Sequence, residues 1–373
     1  MPDTYCKMPF VGFQFTHRSN RLCCSALSSK KMSASDFWNS DYIQEVRRKM
    51  KNNIHVPDCQ KCYAQEEANV HSQRKTYDTL WKDYPEAELP SAMDLDLSNF
   101  CNLKCIMCSA DRSSQWAGSV SSVSQEQLDN LCSISSNIKQ LTIQGGEPSI
   151  MPEFVYYFKH LEKIGIIGDI EIDCISNLTN VNNRFYELLA KFKNVRILAS
   201  IDAYGSANDY IRHPSHFEKV EQNLIELSTR SNLNISLISS TQVLSMYNFG
   251  EFINWFRKIK DIYNKNGKDF QVNINRVTHP NPLNISNAPL LLKEKFVKDL
   301  ELYDGFDLGA QFNSEIKSMQ NNLLSEQPAS MLTGNIRRNG HNIKLGASQL
   351  RQYVEQIDSD RNIKITNYIP NFY

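Results

Sequence analysis

Between residues 92 and 304, six strand-like segments alternate with helix-like ones, and this rhythm constrains the fold more than any other feature. AMDLDLS sets Met93, Leu95 and Leu97 against acids at a period of two. IKQLTIQGG, DIEIDCISN, VRILASIDA, NISLISSTQV and FQVNINRV follow as further strands. Helical stretches separate them, among them PEFVYYFKHLEKIG, with Pro152 in its first turn, and FGEFINWFRKIKDIY. Strands alternating with helices build a parallel sheet with right-handed crossovers. An open doubly wound sheet and an incomplete barrel both satisfy this, and in each the ligands bind at the C-terminal ends of the strands.

The loop after the first of these strands reads SNFCNLKCIMCSA, with Cys101, Cys105 and Cys108 spaced Cys-x3-Cys-x2-Cys. Ten cysteines in 373 residues are mostly clustered: Cys6; Cys23 and Cys24; Cys59 and Cys62; and the loop. The N-terminus lacks the charged-then-apolar layout of a signal peptide, and no apolar run reaches the length of a bilayer span. The expected location is the cytoplasm, where clustered cysteines point to metal rather than disulfides. Lysine plus arginine equals aspartate plus glutamate, which weighs against nucleic acid or an anionic membrane as partner.

Three thiolates on a four-iron cubane leave one iron open to an exogenous ligand. A zinc site with a histidine as fourth ligand competes, but no histidine lies near the loop in sequence. One βα unit later comes QGGEPSI, with Gly145, Gly146, Glu147 and Pro148 at the end of the second strand. Two glycines let a backbone edge approach a ligand, and a carboxylate beside them can hold an ammonium group.

Together these motifs resemble the radical S-adenosylmethionine superfamily over residues 92–282. The resemblance implies a partial (β/α)6 barrel and a 4Fe–4S cluster on Cys101, Cys105 and Cys108. It also implies S-adenosylmethionine chelated to the open iron and cleaved reductively to a 5′-deoxyadenosyl radical that takes hydrogen from a substrate. Glu147, with Gly145, Gly146 and Pro148, would bind the cofactor's amino group. SNLT, with Ser176, Asn177 and Thr179, is similar to the family's segment near ribose and methionine. ASIDAYGSANDYIRHP is similar to its fourth-strand segment, which implies that Ser200 and Asp202 face the cofactor and Arg212 pairs with its carboxylate. Val243 and Asn248 would lie near the adenine or the following helix cap, where a plain N-cap is the bland reading of Asn248. Met107 stands where an aromatic residue is usual, and Ala203 where glycine is common.

Before residue 82, HRSNRLCC reads as a hairpin turn into a short strand, and an amphipathic helix follows up to PDCQKC. By spacing alone Cys6, Cys23 or Cys24, Cys59 and Cys62 suit zinc and an iron–sulfur cluster equally. The layout resembles the auxiliary-cluster module called SPASM, in its one-cluster twitch form, which implies a second 4Fe–4S cluster. In the best-known members that module follows the barrel, and the hairpin turn carries a glycine missing here. Neighbouring strand residues point to opposite faces, so one of Cys23 and Cys24 is expected to bind, with Cys23 favoured. ANVHSQRKTY reads as a solvated linker helix, and Cys132 and Cys174 as packed core thiols.

The expected organisation is an auxiliary module over residues 1–81, a linker over 82–91, the core barrel over 92–285 and a partly helical extension over 286–373 that closes the barrel mouth. The expected activity is oxidative modification of a peptide or protein, with flavodoxin or ferredoxin as reductant. A radical dehydrogenase of a sugar or another small molecule, and a non-catalytic zinc-binding interaction protein, are the alternatives. Neutral charge and the lack of an aromatic-basic stripe weigh against RNA bases as substrate.

Overall fold

In the computed structural model, which describes residues 4–68, 71–181, 183–301, 310–323 and 342–372, the chain forms two units. Met1–Cys101, Ala110–Ile175 and Asn182–Val195 make the first; Asn102–Ser109, Ser176–Val181 and Arg196–Tyr373 make the second. The fold is mixed α/β with a parallel sheet. All six segments expected to be strands are strands.

The first unit holds β1 (Gly12–Thr16), β2 (Asn20–Arg21), β3 (Ala92–Asp96), β4 (Gln140–Gln144) and β5 (Glu171–Ser176) up to Ile175. They pair in the order β2-β1-β3-β4-β5, antiparallel at β2 and parallel elsewhere. Register explains the alternation seen in the sequence. Phe13, Met93, Leu141 and Ile172 form one row across the sheet, and Phe15, Leu95, Ile143 and Cys174 the next. All eight are buried. Phe13 meets Phe37 at 5.1 Å and Trp38 at 6.0 Å between ring centroids, both on the helix Ala34–Asn39. The opposite face carries Gln14, Asp94, Thr142 and Asp173 in one row and Thr16, Asp96 and Gln144 in another.

Across the stretch expected to be a linker at residues 82–91, β1 pairs with β3 residue for residue, from Gly12 against Ala92 to Thr16 against Asp96. The β1–β2 turn needs no glycine. Thr16 Oγ1 donates to the Ser19 carbonyl at 2.7 Å and accepts from the Ser19 amide at 3.0 Å, closing the turn with a side chain.

The second unit holds most of β6 (Asn194–Ser200), with β7 (Leu233–Thr241) and β8 (Val272–Arg276). β7 and β8 are parallel, from Leu237 against Val272 to Thr241 against Arg276. The helix Phe249–Lys265 buries one face: Trp255 meets Phe217, Phe249 meets Phe296, and Tyr263 stacks on Phe270 at 4.4 Å. Of NIRRNGHNIKLGASQLRQYVEQI, residues 335–341 lie outside the described residues, and the rest belongs to the helix Asn342–Arg361. Among the described residues no helix is long and apolar enough to cross a membrane.

The row through Phe13 supplies the first prediction. Phe13→Ala leaves a hole between the sheet and Trp38, and such truncations cost about 3–5 kcal/mol. The urea midpoint followed by circular dichroism should fall accordingly; an unchanged midpoint would mean that β1 is dispensable to the sheet.

Candidate active site

The N-terminal thiols come together in the first unit. Cys6 lies just before the helix Met8–Val11, Cys23 two residues after β2, Cys59 at the end of the turn Pro57–Cys59, and Cys62 in the first turn of Gln60–Glu67. Burial pushes the Cys6 thiol well up, and Cys23 and Cys59 add to it. The Cys23 thiol is raised by burial first and then by Cys24, with Cys59 and Cys62 contributing. The Cys59 thiol is pushed up to about 12 by burial, then by Cys62 and Asp58. Cys6 thus neighbours Cys23 and Cys59, and Cys62 neighbours Cys23 and Cys59, which gathers the four thiols in one place. Cys24 takes a different partner: its Sγ meets the Tyr77 hydroxyl at 3.5 Å, and Asp94 and Lys61 are its charged neighbours.

Residues that the sequence reading passed over hold this arrangement. Asp58 accepts from the Ser28 amide and hydroxyl, both at 2.9 Å, and from the Tyr42 hydroxyl, fixing the loop after Cys24 to the turn that carries Cys59. Arg74 donates to the Tyr5 carbonyl at 2.8 Å and pairs with Glu66, and Asp78 accepts from the Lys7 amide at 2.7 Å. The helix Gln73–Leu80, expected to be a solvated linker, instead anchors both sides of Cys6 and buries Tyr77. Residues 69–70 of that stretch lie outside the described residues. Among the described residues no three His, Cys, Asp or Glu side chains converge tightly enough to hold a single metal ion. One zinc ion would draw its sulfurs to about 2.3 Å. Zinc and a four-iron cluster both take thiolate ligands, and the four side chains gathered here are all thiols.

The loop with Cys101 begins beside the Gly145–Gly146–Glu147 segment. Gly146 N–H donates to the Ser98 carbonyl at 3.0 Å and Glu147 N–H to the Phe100 carbonyl at 2.8 Å. A Cβ at Gly146 would stand 2.2 Å from the Phe100 oxygen, and Gly145 has a φ of +129°. The glycines thus serve an approach to the chain entering the cysteine loop. Buried Glu147 accepts from the Ser149 amide at 3.1 Å and its hydroxyl at 2.6 Å, across the turn Pro148–Ile150. Ser114 fixes Cys101, accepting from its amide and donating to its carbonyl, both at 3.2 Å.

In the second unit, Cys105 is buried and Met107 and Cys108 are half-buried. Lys104 N–H donates to the His213 carbonyl at 2.6 Å and Ile106 N–H to the Ile211 carbonyl at 2.8 Å. From the C-terminal helix, the Tyr353 hydroxyl donates to the Ile106 carbonyl at 2.8 Å, and Arg361 donates to the Lys104 carbonyl. Asn102, within the loop, donates to Thr179 Oγ1 at 2.8 Å and accepts from Asn177 Nδ2 at 2.9 Å. Ser176 is buried, its hydroxyl accepting from the Leu178 amide at 3.2 Å.

The resemblance implies that Asp202 faces the cofactor and that Arg212 pairs with its carboxylate. In the structure they hold each other: Nη2 to Oδ1 at 3.0 Å and Nε to Oδ2 at 2.8 Å. The Asp202 carboxylate also accepts from the Ser240 amide at 2.7 Å. Burial works against the Arg212 cation, but Asp202, Cys105 and Cys108 raise its pKa on balance. A fixed positive charge thus stands beside two of the three loop thiols. Ser200, Ala203 and Val243 are buried. Asn248 sits at the N-cap position of Phe249–Lys265, yet its side chain donates to the Tyr204 carbonyl at 2.7 Å rather than capping. Cys132 and Cys174 are buried in a helix and in β5, as core thiols would be.

Residues 95–276 match the family model described as the Radical SAM superfamily. This stretch of the chain is a radical S-adenosylmethionine domain. Domains of this family work with a 4Fe–4S cluster and S-adenosylmethionine, and the all-thiol donors and buried carboxylate described above are chemically suited to both. The sporulation killing factor maturation protein SkfB of Bacillus subtilis (strain 168) is 26% identical over 148 residues, 40% of this chain and 35% of that one. SuiB of Streptococcus suis bound to S-adenosylmethionine superposes with a TM-score of 0.37 at 15% identity, over 70% of this chain and 49% of that one. Native anSMEcpe with bound AdoMet gives 0.41 at 16% identity, over 57% and 60%. The match thus spans about a third of the curated relative and about half of the first structural neighbour.

The polar sheet face of the first unit supplies a pH prediction. Asp94 accepts from Gln14 Nε2 at 3.0 Å and Gln144 Nε2 at 2.7 Å, and burial raises its pKa to about 6. An unfolded aspartate titrates near 3.9, so between those values the folded state binds more proton and stability falls as pH rises. The fall should total about 3 kcal/mol and vanish in Asp94→Asn. Urea titrations at pH 4 and pH 7 measure it; parallel curves for wild type and variant would refute it.

Proposed function

We propose that this chain is a radical S-adenosylmethionine enzyme that oxidatively modifies a peptide or protein side chain, with a second cluster in its N-terminal segment. The observation that carries the reading is the all-thiol neighbourhood of Cys6, Cys23, Cys59 and Cys62 in the same chain as the three-cysteine loop. A substrate radical that ends as an oxidised product must give up an electron, and a fully thiolate-held cluster can accept one.

Cys101, Cys105 and Cys108 would hold the first cluster. With S-adenosylmethionine bound, it supplies the electron for reductive cleavage to the 5′-deoxyadenosyl radical. Glu147 would take the cofactor's ammonium group on its buried carboxylate. Gly145, Gly146 and Pro148 shape that edge, and Ser176 and Asn177 line the ribose side. Val243 and the Met107 backbone would bound the adenine. Arg212, locked by Asp202, would present a fixed cation toward the cofactor carboxylate, while Ser200 completes the polar wall. Of Cys23 and Cys24, the neighbours favour Cys23 as the auxiliary ligand; Cys24 belongs with Tyr77 and Asp94. SkfB is named as a maturation protein, which supports a peptide substrate. Flavodoxin or ferredoxin would deliver the electron, and the cytoplasm would supply both.

Reduced protein incubated anaerobically with S-adenosylmethionine should release 5′-deoxyadenosine, and Cys105→Ala should abolish the release because two thiolates cannot hold the cluster. Continued release from that variant would reject the loop as the site.

Iron content tests the second cluster independently. The reconstituted chain should hold about eight irons and the Cys59→Ala, Cys62→Ala double variant about four. A double variant with the full load would remove the auxiliary cluster and, with it, the reason to expect an oxidised product.

A further inference from the structure

The sequence says little about the last thirty residues, yet in the second unit they touch the cysteine loop directly. The helix Asn342–Arg361 ends in a buried arginine. Arg361 gives one Nη1 hydrogen bond to the Tyr210 carbonyl at 2.8 Å and one from Nη2 to the carbonyl of Lys104, the residue before Cys105. Its guanidinium also lies 5.6 Å from the centre of the Tyr210 ring. One turn earlier, Asp358 accepts from the Tyr210 hydroxyl at 2.7 Å and from the Ile365 amide at 2.9 Å. Tyr353 reaches the Ile106 carbonyl on the other side of Cys105, and Lys104 Nζ donates to the Asp360 carbonyl at 2.9 Å. The helix therefore grips Cys105 by the carbonyls on both sides and brings a buried cation and its neighbouring anion to that place. Cys105 and Arg361 feel each other's charge.

We infer that Arg361 is a positioning residue that sets the reduction potential of the cluster on the cysteine loop, with Asp358 as its counterweight. This rests on the reading that Cys101, Cys105 and Cys108 hold that cluster. Reduction adds one negative charge to the cluster. A buried cation stabilises the reduced form more than the oxidised one, because little solvent lies between to screen it. A half-buried anion at the same place does the opposite, more weakly. The two side chains should therefore shift the potential in opposite directions, whereas a merely structural pair would shift it in neither.

The test is a reductive titration of the reconstituted full chain, following the electron paramagnetic resonance signal that changes when S-adenosylmethionine is added. Arg361→Gln should lower the ratio of reduced to oxidised cluster about tenfold at the wild-type midpoint, equivalent to about 59 mV for one electron. Asp358→Asn should raise that ratio. It leaves the Arg361 contacts to the loop in place, so it decides the matter if Arg361→Gln loses its iron. A loaded Arg361→Gln chain with the wild-type midpoint would overturn the assignment, even if its thermal midpoint fell. So would an Asp358→Asn midpoint that stays or drops. Wild-type protein with no signal responsive to S-adenosylmethionine would sink the cluster reading itself, and the role of Arg361 with it.

Discussion

The site in the first unit depends on a short backbone seam. Beyond the ends of β3 and β4 the two chains stay paired: Gly146 donates to Ser98, and Glu147 to Phe100. A parallel sheet would ordinarily end in two diverging loops. Here the seam carries the order of the sheet onward to the residue before Cys101. It closes only because no Cβ intrudes, since at Gly146 one would stand 2.2 Å from the Phe100 carbonyl oxygen. The same seam fixes where Glu147 begins its turn, so its carboxylate and the first thiol derive their positions from one set of hydrogen bonds.

The other thiols of the loop obey a different support. The amides of Lys104 and Ile106 donate to the carbonyls of His213 and Ile211, and the C-terminal helix bonds the carbonyls of the same two residues. Beside Cys105 one buried charged pair is already formed. Asp202 holds Arg212 through both of its oxygens, and breaking a buried pair of that kind costs about 3–5 kcal/mol. A guanidinium held so firmly keeps its orientation whether or not a carboxylate is present. It needs little reorganisation to receive one.

How much of this was legible in sequence varies with how local the cause is. Strands β3 to β8 were readable because each carries its own pattern; the acids in AMDLDLS announce a two-faced strand without help from elsewhere. The cysteine spacing and Gly-Gly-Glu-Pro were readable for the same reason. β1 was not, although Phe13 and Phe15 flank Gln14 at period two, because its place in the sheet is decided by pairing with a strand 80 residues away. The pairing of Asp202 with Arg212 was not legible because sequence names charges but not their partners. The roles of Tyr353 and Arg361 left no signal at all: a helix ending in arginine looks the same whether it caps itself or grips a loop.

The parallel pairing of β1 with β3 also gives the N-terminal cysteines their place. Parallel strands finish at the same end of a sheet, so Thr16 lies level with Asp96, where the chain sets out toward Cys101. The tight turn at Thr16 then sends β2 back along β1 for only two residues before Cys23 and Cys24. Past the end of β2 the chain bends, and the two cysteines part company: Cys23 joins Cys6, Cys59 and Cys62, while Cys24 meets Tyr77 beside Asp94 on the polar face. Had β1 paired antiparallel, the hairpin would have opened at the far end of the sheet, a strand's length from the cysteine loop. The observed register runs β2 back along β1, Asn20 opposite Phe15 and Arg21 opposite Gln14, so Cys23 and Cys24 follow on from the side of the sheet that this pairing direction sets.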